Sequence, residues 1–394
     1  MYSEKMVGLG SRRSTIREIF EYGKKRAAVV GAENIFDFSI GNPSVPAPDC
    51  VNETIKELID TVDSVHLHGY TSAQGDAGVR AALAESINRR FGMSITGDNL
   101  YITVGAAASL SICLRALAEE GDEFITFAPF FPEYKCFVEA NGCELKVVPA
   151  QIEDFQINFE EFEKIINKNT KAVIVNSPNN PSGIVYSEET VLKLAKILKE
   201  KSEEYGKPIF LIADEPYREI AYDNAIVPYL PKYYDDTFVC YSYSKSLSLP
   251  GERIGYIVVP DTVTDSKAAY AAVCGAGRAL GYVNAPALFQ RVIAKCCEET
   301  SDVSIYQKNR DMLYDALIKN GYKCVKPQGA FYLFPQALEE DAYAFCEKAK
   351  ELDLLLVPGD DFGCKGHVRI SYCVPNEMIQ RAIPAFEKLA QMYK

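Results

Sequence analysis

The sequence predicts an α/β protein in which helices cover a mostly parallel sheet, with a smaller α+β domain beside it. Two observations predict this. From about residue 76, apolar runs of strand length alternate with amphipathic stretches of helix length. The runs "KAVIVN", "PIFLIAD" and "TFVCYSYS" are apolar nearly throughout, as in strands buried on both faces. At 394 residues the chain has room for two domains.

The elements follow in order. Residues 14–30 predict a helix, with Ile16, Ile19, Phe20 and Ala27 on one face and Gly31 ending it. A strand "IFDFSIG" comes next, then "NPSVPAP", whose prolines force an extended path. Asp49 is expected to cap a helix over 51–62. The alternation then runs helix "AGVRAALAESINRRF", strand "NLYITV", helix "AASLSICLRALAE" and strand "DEFITFA". It resumes with "KAVIVN", helix "EETVLKLAKILKEKSEEYG", and strands "PIFLIAD", "TFVCYSYS" and "RIGYIVVP". After about Pro286 long helices dominate, separated by short strands "YKCVKP", "FYLF", "LLLVPG" and "HVRISYC". We therefore expect a large domain over 46–286 and a small domain made of 1–45 and 287–394.

Composition narrows the function. A formal net charge of −12 argues against a nucleic-acid partner, which needs a basic surface, and fits a dispersed cytoplasmic enzyme. No run of eighteen apolar residues is present, so no membrane span is expected, and the first twenty residues do not read as a signal peptide. The twelve cysteines lie scattered in apolar segments without a CxxC, which reads as reduced, buried thiols. Of three histidines only His66 and His68 are neighbours, with no third ligand nearby, so no metal site is expected.

Four predicted strands end in polar residues. "KAVIVN" leads into "SPNNPSG", "PIFLIAD" into "DEPY", "TFVCYSYS" to Lys245, and "NLYITV" into "GAAAS" at a helix start. Taken singly, each reads as a turn or a solvated strand end. Together, at the carboxyl ends of strands where α/β proteins bind ligands, they supply what a lysine-bound pyridoxal phosphate needs. An amine forms a Schiff base with an aldehyde. A carboxylate keeps the pyridine nitrogen protonated so that the ring serves as an electron sink. At about 4 Å and an effective dielectric of 20 that pairing is worth roughly 4 kcal/mol, or about three pKa units. Asp214 is the candidate. Backbone N–H groups of Ala106 and Ala107, with Ser242, Ser244 and Arg253, suit a phosphate.

The combination NPxG, DExY, SxSK with an arginine eight residues on, and a late "VRIS" resembles the class I/II aminotransferases. These are pyridoxal-phosphate enzymes of the aspartate aminotransferase superfamily, fold type I. The likeness runs from "GNP" at 41–43 to "HVRIS" at 367–371. It implies that Lys245 holds pyridoxal 5'-phosphate and later shuttles a proton, with Asp214 on the pyridinium nitrogen. It places Asn180 and Tyr217 on the ring hydroxyl, and Ala106, Ala107, Ser242, Ser244 and Arg253 on the phosphate. Arg369 would take the substrate α-carboxylate as a bidentate fork, assisted by Asn180 and the backbone of Gly41. Phe131 matches the ring-stacking position, though it also reads as plain core. Tyr70 in "HGYTSAQG" matches a tyrosine given to the phosphate of a neighbouring subunit, which implies a homodimer with shared sites.

The implied reaction moves an amino group between an L-amino acid and a 2-oxo acid, with the aspartate, glutamate and 2-oxoglutarate type among the candidates. The segment "GAAAS" lacks the lysine or serine of some aspartate-using relatives, so aspartate specificity does not carry over. Arg278, in "GAGRALGYVNAP", lies near where some relatives present an arginine to a distal carboxylate; it also reads as a surface helix-end arginine. The alternative reaction is carbon–sulfur β-elimination on the same cofactor, which the shared motifs leave open. A fold-related transcription regulator would need a DNA-binding domain and a basic surface, and a Rossmann protein would need GxGxxG after its first strand.

Overall fold

The computed structural model describes residues 2–11 and 15–394. Its centre is a seven-stranded sheet in the order Leu100–Thr103, Gly255–Val258, Thr237–Ser242, Phe210–Asp214, Thr170–Asn176, Glu123–Phe127 and Glu144–Val148. Only Gly255–Val258 runs against its neighbours, so the other six strands point their carboxyl ends to one edge. Register aligns the polar strand ends: Asn176 lies beside Asp214, Asp214 beside Cys240, and Gly255 beside both Ser242 and Thr103.

Side chains alternate across this sheet with a period of two. Val239 and Tyr241 enter the core on one face, while Phe238 and Cys240 enter the core on the other. Val173 and Val175 divide from Ala172 and Ile174 in the same way. Both faces are dry, which explains the unbroken apolar runs in the sequence.

A second core surrounds the three-stranded sheet Val357–Pro358, Val368–Ser371 and Tyr332–Leu333. Helices Val303–Lys319, Ala342–Glu351 and Asn376–Gln391 cover it with Leu313, Phe345 and Phe386 among other side chains. The amino-terminal segment joins this side, since Phe36–Asp37 pairs in parallel with Leu354–Leu355 and Phe38 lies in the same core. Helix Ala287–Cys296 packs instead on Asp49–Thr61 and Ala77–Phe91, with Val292, Ile293 and Cys296 in the core of the large sheet.

Several local expectations need correction. The first long helix is Thr15–Val30, and the expected start at Ser14 lies outside the described residues. Asp49 is the first helical residue and not a cap; Pro48 occupies the cap position with no side-chain bond. "YKCVKP" forms no strand: the Tyr322 N–H still bonds back to the Leu317 carbonyl of the preceding helix, and the segment runs as a loop into Gly329. Glu144–Val148 is a strand that the sequence reading passed over; its mixed composition suits an edge position. All twelve cysteines are free, but five are only partly buried. Among the described residues no helix is long and apolar enough to cross a membrane.

Candidate active site

The carboxyl edge of the large sheet and the Arg369 strand enclose a cavity of about 360 Å³. Its wall contains Gly41, Ala106, Ala107, Phe131, Asn180, Asp214, Tyr217, Ser242, Ser244, Lys245, Arg253 and Arg369. Twelve of the fourteen residues singled out in the sequence therefore converge on one space. Tyr70 and Arg278 do not: Tyr70 is 97% exposed, and Arg278 sits exposed in the last turn of helix Ser266–Leu280.

Lys245 lies in the short helix Tyr243–Ser246 that caps strand Thr237–Ser242. Its Nζ donates to the Gly41 carbonyl at 2.7 Å, across 204 residues of sequence. Burial pushes the amine down to about 8, opposed by Cys373 and helped by the cationic Arg369 and Arg253. An amine of that pKa reaches its neutral, nucleophilic form near physiological pH.

Asp214 ends a strand in the middle of the sheet and is buried. Tyr134 donates to its Oδ2 at 2.5 Å, and Asn176 Nδ2 donates to its backbone oxygen at 2.9 Å. Oδ1 is buried without any partner. Burial pushes the carboxyl up to about 7, against the lowering by Tyr134 and with a further rise from Glu215. A buried carboxylate with one bare oxygen on a cavity wall is costly unless a donor arrives there.

The other end of the cavity suits an anion. Helix Ala106–Leu117 begins after Gly105, which offers no side-chain cap, so its first N–H groups are open. Ser242 and Ser244 share a hydroxyl bond of 2.7 Å, and Arg253 Nη1 donates to Ser244 Oγ at 3.3 Å. The packing is close: a Cβ at Gly105, whose φ is +92°, would stand 2.5 Å from Arg253 Nη2. Arg253 itself holds φ at 51°, an uncommon conformation for a side-chain-bearing residue.

Arg369 is buried, donates from Nη2 to the Ser39 carbonyl and from Nη1 to Asn180 Oδ1 at 3.2 Å, and leaves Nε without a partner. Burial lowers its pKa, and no carboxylate pairs with it among the described residues. A buried guanidinium held this way is set for a bound carboxylate. Phe131 stands on the wall and meets Tyr134 edge-on at 5.7 Å, so its ring is half core and half cavity.

Sequence reasoning missed three polar contributors. Tyr134 lies three residues after Phe131, but its partner lies 80 residues away. Asn176 is the last residue of "KAVIVN", beside Asp214 in register, and that shared strand-end position was a usable signal. Tyr332 has its hydroxyl 2.9 Å from that of Tyr217 and lines the cavity.

The bare Asp214 oxygen, the amine, and the open helix start with its arginine and serines match the pyridine nitrogen, aldehyde and phosphate of pyridoxal 5'-phosphate in chemistry. The residues present fit that group.

Comparison with known proteins agrees. The family model "Aminotransferase class I and II" matches residues 33–386. The chain belongs to the class I and II aminotransferases, and it is an aminotransferase. It is 29% identical over 368 residues to an aspartate aminotransferase of Thermotoga maritima, covering 92% of this chain and 93% of that one. It is 30% identical over 389 residues to a probable aspartate aminotransferase of Methanocaldococcus jannaschii, covering 95% and 96%. Among solved structures, an aminotransferase of Eubacterium rectale superposes with a TM-score of 0.98 at 64% identity, covering 100% of this chain and 99% of that one. The Thermus thermophilus aspartate aminotransferase with maleate gives a TM-score of 0.86 at 26% identity, covering 99% and 100%. The names of these relatives do not favour β-elimination.

Proposed function

We propose that this chain moves an amino group between an L-amino acid and a 2-oxo acid, using pyridoxal 5'-phosphate held on Lys245. The observation that carries the reading is the convergence of Lys245, the bare Asp214 Oδ1, Arg253 and Arg369 on one cavity. When bound, the cofactor supplies an electron sink for the amino-acid carbon that loses its proton. Lys245 Nζ would hold the aldehyde carbon and afterwards carry the proton between substrate and cofactor carbons. Asp214 would accept from the ring nitrogen, and Asn180 and Tyr217 would orient the ring oxygen. Ala106, Ala107, Ser242, Ser244 and Arg253 would anchor the phosphate, and Phe131 would stack on the ring. Arg369, with Asn180 and the Gly41 backbone, would fix the α-carboxylate.

The working unit is proposed to be a cytoplasmic homodimer in which Tyr70 serves the phosphate of the other subunit. Its exposure and its absence from the wall of its own chain's cavity support this reading. The domain division is proposed as 46–286 against 1–45 with 287–394, with helix Ala287–Cys296 moved to the large part. Several relatives are named aspartate aminotransferases, which supports a dicarboxylic substrate pair. Arg278 would then act only across a subunit interface.

Borohydride treatment of the yellow holoprotein, followed by peptide mapping, tests the reading. The expected label sits on the peptide containing Lys245; a label on any other lysine overturns it.

A further inference from the structure

Tyr332 belongs to the short strand Tyr332–Leu333, which pairs with the strand carrying Arg369. Its hydroxyl reaches the cavity because residue 41 is glycine: a Cβ there would overlap the Tyr332 oxygen. That hydroxyl lies 2.9 Å from the Tyr217 hydroxyl, and the two rings meet edge-on at 5.8 Å. The Arg369 guanidinium stands 4.8 Å from the centre of the Tyr332 ring.

Each phenol has one hydrogen, so the pair has two and their mutual bond uses one. If Tyr217 donates to Tyr332, Tyr217 faces the cavity with only a lone pair. If Tyr332 donates, the Tyr217 hydrogen is free to turn inward. An anionic ring oxygen in the cavity selects the second arrangement. A cation against the Tyr332 ring favours the same sense, because it strengthens that phenol as a donor. Both phenols stay protonated at neutral pH, Tyr332 having its pKa pushed up to about 12 by burial.

We infer that Tyr332 is a positioning residue: its hydroxyl donates to Tyr217 and so turns the single Tyr217 hydrogen toward the cofactor's ring oxygen. The inference rests on the proposed cofactor reading. A hydrogen aimed at that oxygen stabilises its anionic form and lowers the pH at which the bound chromophore loses its proton.

The test is a visible-absorbance pH titration of the holoprotein, which reads the cofactor and not turnover. Tyr332→Phe removes the donation that strengthens the Tyr217 hydroxyl and should raise the titration midpoint by a few tenths of a pH unit, a fraction of one ordinary hydrogen bond. Tyr217→Phe should raise it further, and the double variant should match Tyr217→Phe alone. Replacing Tyr332 by site-specific 3-fluorotyrosine, a stronger donor of nearly the same shape, should move the midpoint down. That variant also keeps the test alive if Tyr332→Phe misfolds. An unchanged midpoint in Tyr332→Phe or the fluorinated protein, or additive shifts in the double variant, would overturn the inference. A parent protein that takes up no pyridoxal phosphate fails the proposed function instead, a separate and visible outcome.

Discussion

Tyr134 donates to one oxygen of Asp214 at 2.5 Å while the other oxygen stays bare, and Asp214 lines the cavity. The phenol holds the carboxylate in one orientation, and the cavity must supply the second donor.

Stability of the cofactor-free protein should report this arrangement. The Asp214 carboxyl is raised from 3.8 to about 7. Its contribution is therefore fully present below about pH 4 and lost as pH rises through 7. Three units correspond to about 4 kcal/mol as an order of magnitude. Asp214→Asn should remove that slope from thermal melts of the cofactor-free protein between pH 4 and 8. The same variant should lose about a thousandfold in turnover, because an amide cannot hold the ring nitrogen protonated. Melts with an unchanged slope would show that Asp214 is not the buried titrating group.

Lys245 has the opposite sign. Its amine is lowered from 10.5 to about 8, so its contribution is present above about pH 10.5 and lost as pH falls through 8. Capture of pyridoxal phosphate by the empty protein should accelerate with pH and level off above about 8, followed as the rise of bound-cofactor absorbance. Lys245→Ala should keep measurable cofactor affinity through the phosphate cradle and lose turnover. A capture rate flat from pH 6 to 9 would contradict the role of the amine.

Arg369→Lys keeps the charge but loses the fork, and hydrogen bonds to a charged group are each worth about 1.5–3 kcal/mol. The expected cost is about tenfold to a hundredfold in kcat/KM, carried mainly by KM for the amino acid. Steady-state kinetics with two donors of different side chain should show the same loss for both. A loss confined to one donor would place Arg369 at the side chain instead of the α-carboxylate.

Mixing inactive Lys245→Ala chains with inactive Tyr70→Ala chains tests the shared site. If Tyr70 acts across the interface, mixed dimers collect both lesions in one site and leave the other intact, so activity returns. Continued inactivity after demonstrated subunit exchange would remove the cross-subunit role. Arg278→Ala, compared on glutamate and alanine, should lose efficiency selectively with glutamate by about tenfold to a hundredfold if it meets a distal carboxylate. Equal changes with both donors would leave Arg278 as a surface residue.

Much of this site was legible because its residues sit where chain direction changes. Asn180, Asp214 and Lys245 each follow an apolar run long enough to mark a strand, and the edge at which parallel strands end is common to all of them. Tyr134 and Tyr332 were illegible for the converse reason. Each lies in an aromatic-rich segment, and its role exists only through a partner 80 or 115 residues away. The strand Glu144–Val148 escaped because an edge position tolerates charged side chains. Tyr70 and Arg278 lie off the cavity of their own chain, and the roles proposed for them require a second chain.

The antiparallel strand Gly255–Val258 lies between strands that end at Thr103 and Ser242, and it begins two residues after Arg253. The cradle proposed for the phosphate is therefore closed by pairing segments about 150 residues apart in the chain, a contact that carries a loop-closure entropy cost. Pyridoxal phosphate would then meet a finished cradle or none. It would behave as a ligand of the native state alone, raising the melting temperature with its concentration while leaving the refolding rate of the chain unchanged.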